Sequence, residues 1–154
     1  MQIRKVTADD IELLIKLRLD YLREENKGQG FRSVGELKKK LRGYFEKWIE
    51  TGGFVAFVAE ENGDICSTAF LSVVERPPRR AFSSYLVGTV YNVYTDPAYR
   101  RRGIASRVMS ALLEEAGALG VASVDLLATE AGRPLYEKLG FQVAKYTAMR
   151  IKLE

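Results

Sequence analysis

Histidine is missing from this 154-residue chain, and cysteine occurs once, as Cys66. Without histidine the commonest metal ligand and the usual base of serine and cysteine triads are gone, and one thiol can make neither an internal disulfide nor a thiolate metal cluster. Proton transfer has to use other groups, and no metal is expected. Cys66 lies in the apolar run ICSTAFLSVV, where it reads as a small buried hydrophobe. Long apolar runs are missing too. None approaches the roughly 20 residues of a membrane helix, and the opening MQIRKVTADD lacks the apolar core of a signal peptide. A cytoplasmic location with no membrane partner is the expectation. No linker, repeat or low-complexity segment breaks the pattern, so residues 1–154 are expected to form one domain, of a size that buries about 68–70% of its unfolded surface.

What is present is an ordinary globular balance, 47% hydrophobic and 29% charged. The net charge of +4 favours an anionic ligand. QIRKV reads as a first strand, and Thr7 with Asp10 resembles a capping box opening a helix to about Asn26, with Ile11, Leu14, Ile15 and Leu22 as its apolar stripe. Ser33 and Glu36 form a second box before Leu37, Leu41, Tyr44, Phe45 and Trp48, and Gly52-Gly53 end that helix. FVAFVAEENGDICSTAFLSVV holds an Asn-Gly pair between two β-rich runs, the strongest short hairpin signal. A third run, SSYLVGTVYNVYT, stops at Asp96-Pro97. Beyond it Ile104, Val108, Leu112, Ala116 and Leu119 recur at helical spacing up to Gly120. VASVDLLA then reads as a strand, GRPLYEKLG as a short helix, and FQVAKYTAMRIKL as a closing pair of strands or one bent strand.

The junction DPAYRRRGIASRVM is the anomaly. A helix start carries unpaired N–H groups and a partial positive charge, so each cation placed there costs roughly 0.3–1 kcal/mol. Arg100, Arg101 and Arg102 have the wrong sign, and Gly103 offers no side chain to cap the helix. An anion would satisfy both. Gly103 lacks a Cβ, Ala105 is small, and a phosphate could bond the free amides while answering the arginines. The plainer reading is a solvated basic turn, which leaves the missing cap and the two small residues unexplained.

The motif Arg100-x-x-Gly103-x-Ala105 resembles the Arg/Gln-x-x-Gly-x-Gly/Ala signature of the GNAT superfamily of N-acetyltransferases. Its surroundings resemble the family as well: VYNVYT ending in Asp-Pro upstream, an amphipathic helix and a strand after it, and PLYEKLGF, similar to the common Tyr-Glu-x-x-Gly-Phe ending. ATEAGRPLYEKLGF looks like a bacterial branch. The resemblance implies an α/β fold with a central, mostly antiparallel sheet of six or seven strands flanked by about four helices. It implies that the backbone of Val93, Tyr94 and Thr95 pairs with the pantetheine arm of acetyl-CoA, an N–H there polarising the acetyl carbonyl. Arg100, Arg101, Arg102, Gly103, Ile104, Ala105 and Ser106 become the pyrophosphate loop, and Tyr136 the group that assists the departing sulfur. A helix tyrosine packed beside Leu135 and Leu139 is the plainer reading of Tyr136.

The chain also departs from the family. Where many relatives place a glutamate, four residues before Val93, it has Thr89, and GTVYNVYT holds no acid. Glu130 and Glu75 remain as bases acting through water, each equally readable as a surface carboxylate. An asparagine common on the fifth strand is replaced within LLATE. The function implied is transfer of acetyl from acetyl-CoA directly to a primary amine in a ternary complex, the acceptor pocket being walled by the first two helices, ERPPRRAF and the C-terminal strands. Small amines, aminoglycosides, amino acids and proteins stay open as acceptors, and so does a homodimer. The alternatives are a non-catalytic acyl-CoA-binding protein and, more remotely, a basic nucleic-acid module built on RPPRR and LKKKLRGYFEKW. No helix-turn-helix, OB-type or RNP-like pattern supports the latter, so no nucleic-acid partner is expected.

Overall fold

Short-range signals in the sequence set most of the elements. In a computed structural model that describes residues 1–27, 30, 32–78 and 85–153, the Thr7 hydroxyl accepts from the Asp9 amide and the Asp10 carboxylate accepts from the Thr7 amide at 2.9 Å. This capping box opens a single 3-10 turn at Ala8–Asp10 that leads into α1, Ile11–Glu25. The Ser33 hydroxyl accepts from the Glu36 amide and caps α2, Val34–Glu50. Asn62 and Gly63 both take positive φ, 55° and 86°, as a two-residue hairpin turn with the strands' own twist requires. They join β2, Phe54–Glu61, to β3, Asp64–Glu75.

The sheet runs β1 (Gln2–Lys5), β2, β3, β4 (Leu86–Thr95), β5 (Ser123–Asp125) in sequence order. Its first four strands are antiparallel neighbours, and β5 lies parallel to β4. Such a parallel pair needs a crossover, which α3, Ile104–Ala118, supplies. α3 buries Ile104, Val108, Met109, Leu112 and Ala116 against one face of the sheet. On the other face, Leu14, Ile15, Leu17 and Leu19 of α1 and Phe45 of α2 pack on Phe54, Val58 and Phe70. The sheet is therefore buried on both sides, and β2 and β3 read as nearly continuous apolar runs for that reason. Cys66 is a core residue, as expected, and its thiol donates to the Ala59 carbonyl at 3.2 Å.

Two features depart from the expected architecture. The sheet has five strands among the described residues, not six or seven, because residues 141–153 form no strand. None of residues 142–153 takes part in a backbone hydrogen bond with a described residue, and a strand exists only by its ladder. VASVDLLA likewise narrows to Ser123–Asp125. β4 and β5 pair only over Val87–Thr89 and Ser123–Asp125, after which the two strands have no ladder between them. Arg79–Ser84, within the expected ERPPRRAF wall and the start of the third run, lie outside the described residues.

Candidate active site

Where β4 and β5 part, a cleft of about 510 Å³ opens. One wall is β4 from Val90 to Thr95, the other is Leu126, Leu127 and Thr129 beyond β5, and Leu135 and Tyr136 of α4 (Arg133–Lys138) close it below. β4 is irregular here. Its register steps from Phe70↔Tyr91 to Thr68↔Tyr94, so that Asn92 and Val93 stand opposite Ala69 alone. Asn92 takes φ +55° at this bulge, and a bulge locally removes backbone groups from the ladder and re-aims side chains. Val93, Tyr94 and Thr95 all border the cleft.

Asn92 is 1% exposed. Its Oδ1 accepts from the Arg18 guanidinium at 3.2 Å, while its Nδ2 has no partner among the described residues. Arg18 also stacks over the rings of Tyr21 and Tyr91, 5.7 and 5.5 Å from their centroids. Behind it Tyr91, Tyr44 and Ser72 close a triangle of hydroxyls at 3.1–3.2 Å. Burial drives the Tyr91 phenol far above its usual range, so it stays protonated, and the triangle braces β4 against α2. Sequence reasoning missed Arg18. The one available signal was its place on the apolar face of α1, four residues after Leu14.

The arginine junction forms the outer end of the cleft, with Arg100 and Ala105 on its lining. The three arginines are not equivalent. Arg100 donates through Nε to the Thr95 carbonyl at 2.8 Å and through Nη2 to Glu24 at 3.1 Å, and stacks on Tyr94. Arg102 makes a two-pronged pair with Glu61 at 3.0 and 3.1 Å, a contact that raises the pKa of an already permanently charged guanidinium. Arg101 takes φ +62° and has no ion pair or hydrogen bond among the described residues. Gly103 is the N-cap of α3 in the left-handed region, φ +72°, and provides no cap. The amides from Arg101 to Ser106 donate to no described residue; the first bond of the helix is from the Arg107 amide to the Gly103 carbonyl at 3.3 Å. A Cβ built on Gly103 meets nothing within 4 Å. Ile104 is buried in the core against the sheet.

Tyr136 sits across the cleft from β4. Its ring meets Phe141 edge-on at 5.9 Å, and Gly132 lies close enough that an added Cβ would come within 3.2 Å of it. Its hydroxyl has no hydrogen-bond partner among the described residues. Burial, with a smaller contribution from Tyr21, holds the phenol above its ordinary pKa, so it stays protonated. The carboxylates bordering the cleft are Glu24 and Glu25 of α1. Glu130 and Glu75 do not border it; Glu75 ends β3, where it pairs with Leu86. Of the expected acceptor walls, α1 is present, α2 contributes nothing to this lining, and the C-terminal strands do not form. Among the described residues no cluster of acidic, histidine or cysteine side chains could hold a metal, and no helix is long and apolar enough to cross a membrane.

The family described as acetyltransferase (GNAT) domain matches residues 52–143. The chain belongs to the GNAT acetyltransferase family. It is 27% identical over 91% of its length to an uncharacterized N-acetyltransferase of Methanocaldococcus jannaschii, covering 60% of that protein. It is 32% identical over 63% of its length to the glucosamine 6-phosphate N-acetyltransferase of Trypanosoma brucei brucei, covering 63% of that protein. The chain thus spans about 60% of the length of these curated relatives. Among solved structures it superposes on a "predicted acetyltransferase with acetyl-CoA" from Clostridium acetobutylicum with a TM-score of 0.83 and 31% identity, over 97% of this chain and 95% of that one. This GNAT chain shares the mixed sheet and four-helix arrangement of that neighbour.

Proposed function

We propose that the cleft between β4 and β5 binds acetyl-CoA and that the chain transfers the acetyl group directly to a primary amine held in the same cleft. The observation that carries this reading is the run of unbonded amides from Arg101 to Ser106 at the outer end of a cleft that holds an unpartnered, protonated Tyr136 within it. Consecutive free N–H groups at a helix start, with no Cβ on Gly103, suit a pyrophosphate, and Arg101 is the guanidinium available to add charge. That the Clostridium neighbour was solved with acetyl-CoA supports the same ligand here.

Acetyl-CoA supplies an activated acetyl group whose carbonyl oxygen gains negative charge as an amine adds and whose sulfur then leaves as a thiolate. The backbone N–H of Val93, at the β4 bulge, is the donor proposed for that oxygen; an aligned donor in a dry site is typically worth about 2.7–4 kcal/mol of barrier. The Tyr136 hydroxyl hydrogen-bonds the leaving sulfur and passes it a proton, which water then returns to the phenol. Its proton is firmly held, and it can hydrogen-bond a thiolate without having to ionise first. β4 offers no carboxylate as base, since Thr89 stands where a glutamate would. The acceptor's proton therefore passes to water, and Glu24 or Glu25 orients the amine. The products are an N-acetyl amine and free CoA thiol.

Release of CoA thiol from acetyl-CoA, measured against a panel of amino sugars, polyamines, aminoglycosides and peptides with mass detection of the N-acetyl product, tests the reading. Acetyl transfer to at least one amine is expected. Tight acetyl-CoA binding without transfer to any amine would assign an acyl-CoA binder instead, a reading that the acid-free β4 favours.

A further inference from the structure

Arg18 is a half-buried cation that no carboxylate answers among the described residues. The other two cations of α1, Lys16 and Arg23, both pair with Asp20. Arg18 instead donates from Nη1 to Asn92 Oδ1 at 3.2 Å, and the rings of Tyr21 and Tyr91 lie 5.7 and 5.5 Å from its central carbon. The Tyr91 hydroxyl is itself tied to Tyr44 of α2 and Ser72 of β3, so one of the rings that hold the guanidinium is fixed in turn. A guanidinium only donates; Asn92 must turn its oxygen toward Arg18. That orientation leaves Nδ2 buried without a partner, which is unfavourable for stability. Asn92 also takes φ +55°, a region that Asn enters more readily than most residues but that still strains a side-chain-bearing backbone. Two unfavourable features meet in the residue before Val93.

We propose that Arg18 is a positioning residue for acetyl transfer: by holding the Asn92 amide it fixes the β4 bulge, and with it the direction of the Val93 N–H. The inference rests on the reading of that N–H as the donor to the acetyl oxygen. The peptide joining Asn92 to Val93 is one rigid plane, so its N–H swings whenever the Asn92 backbone rotates. In a regular strand the ladder on both sides resists such rotation. Here Asn92 and Val93 stand opposite Ala69 alone, and a bulge interrupts the ladder where it occurs. The contact from α1 takes over that restraint, and with no carboxylate competing for it the guanidinium stays on Oδ1. Arg18 acts through Asn92 and needs to touch neither acetyl-CoA nor the acceptor. A residue that merely tied α1 to β4 would affect stability and leave the chemistry unchanged.

Infrared difference spectra of acetyl-CoA, isotope-labelled at the acetyl carbonyl and bound to wild type or to Arg18→Met, separate the two roles without an acceptor. Methionine keeps an unbranched stem beside the rings and removes every donor. A hydrogen bond to the acetyl oxygen lowers the carbonyl stretching frequency. Wild type is expected to show the lowered band and Arg18→Met a band moved back toward that of free acetyl-CoA, at unchanged calorimetric affinity. Arg18→Lys keeps a donor for Oδ1 and should recover part of the shift; it also carries the comparison with wild type if Arg18→Met fails to fold. With an acceptor amine, kcat of Arg18→Met should fall about tenfold to 10²-fold at unchanged KM, the scale of a catalytic group displaced by about 1 Å. Asn92→Gly accepts φ +55° without a side chain, and in that background Arg18→Met should move the band no further. A lowered band at the same position in wild type and Arg18→Met, or a further change in the Asn92→Gly background, overturns the role of Arg18 and leaves Val93 as the donor. Bound acetyl-CoA without a lowered band in wild type overturns the Val93 donor and this inference with it.

Discussion

The proposed reaction concentrates its chemistry in the hydroxyl of Tyr136. It is half-buried, protonated and without a partner, so Tyr136→Phe removes a donor and leaves the packing on Phe141 in place. Acetyl-CoA affinity and melting temperature should hold while turnover falls by about 10²–10⁴-fold, the usual worth of general-acid help. Because burial raises this phenol, it does not titrate in the working range. The rate of both proteins should rise with pH as the free-amine fraction of the acceptor grows, the mutant profile lying below the wild type. Steady-state rates against pH for the two proteins decide the matter, and coincident profiles would leave Tyr136 as a packing residue. The short helix that carries Tyr136 was legible because its sequence pattern is local. The division of labour among the arginines was not: Arg100 is answered by Glu24 and Arg102 by Glu61, partners 76 and 41 residues away that no local pattern announces. Arg18 was hidden for the same reason, since its acceptor Asn92 lies 74 residues on.

At the scale of elements, the cleft depends on β4 and β5 pairing for three residues and no further. Gly88 stands in that short ladder opposite Val124, and a Cβ there would come within 2.7 Å of the buried Leu71 side chain and 3.4 Å of Val124. Gly88→Ala should therefore cost about 1–3 kcal/mol, as overpacking does, readable as a lower denaturation midpoint in urea. The start of α1 carries a pH dependence. Two hydrogen bonds from Arg4 at 3.0 Å, with a further one from the Thr7 amide, hold the Asp10 carboxyl below its usual range. A depressed folded-state pKa contributes stability that is present above the unfolded value near 3.9 and is lost as pH falls through the lower folded one. Thermal melts taken from about pH 5 to about pH 3 should show a steeper loss in wild type than in Asp10→Asn; equal slopes would remove this pair from the acid response. Caps, the Asn62-Gly63 hairpin and the helix ends were legible because each is set within a few residues. The length of β5 and the state of residues 142–153 were not, since an edge strand is defined by the neighbour it finds or lacks.

Across the described residues, the sheet is braced on one face by α3 and on the other by α1 and α2, and the cleft where β4 and β5 part reaches Arg100 and Ala105 of the arginine junction. An opened sheet beside an uncapped helix start suits the acetyl-CoA site proposed above, and Gly103 is the position where fold and ligand are proposed to meet. Its left-handed φ costs a residue with a side chain roughly 1–2 kcal/mol, and a β-branched side chain would stand where the pyrophosphate is proposed to lie. The most direct measurement is calorimetric titration of acetyl-CoA into wild type and into Gly103→Val, with circular dichroism to show that the variant is folded. Wild type should bind, and the variant should bind at least tenfold more weakly, about 1.4 kcal/mol. Equal affinities in a folded Gly103→Val protein, or no binding to wild type, would contradict an acetyl-CoA site at the start of α3.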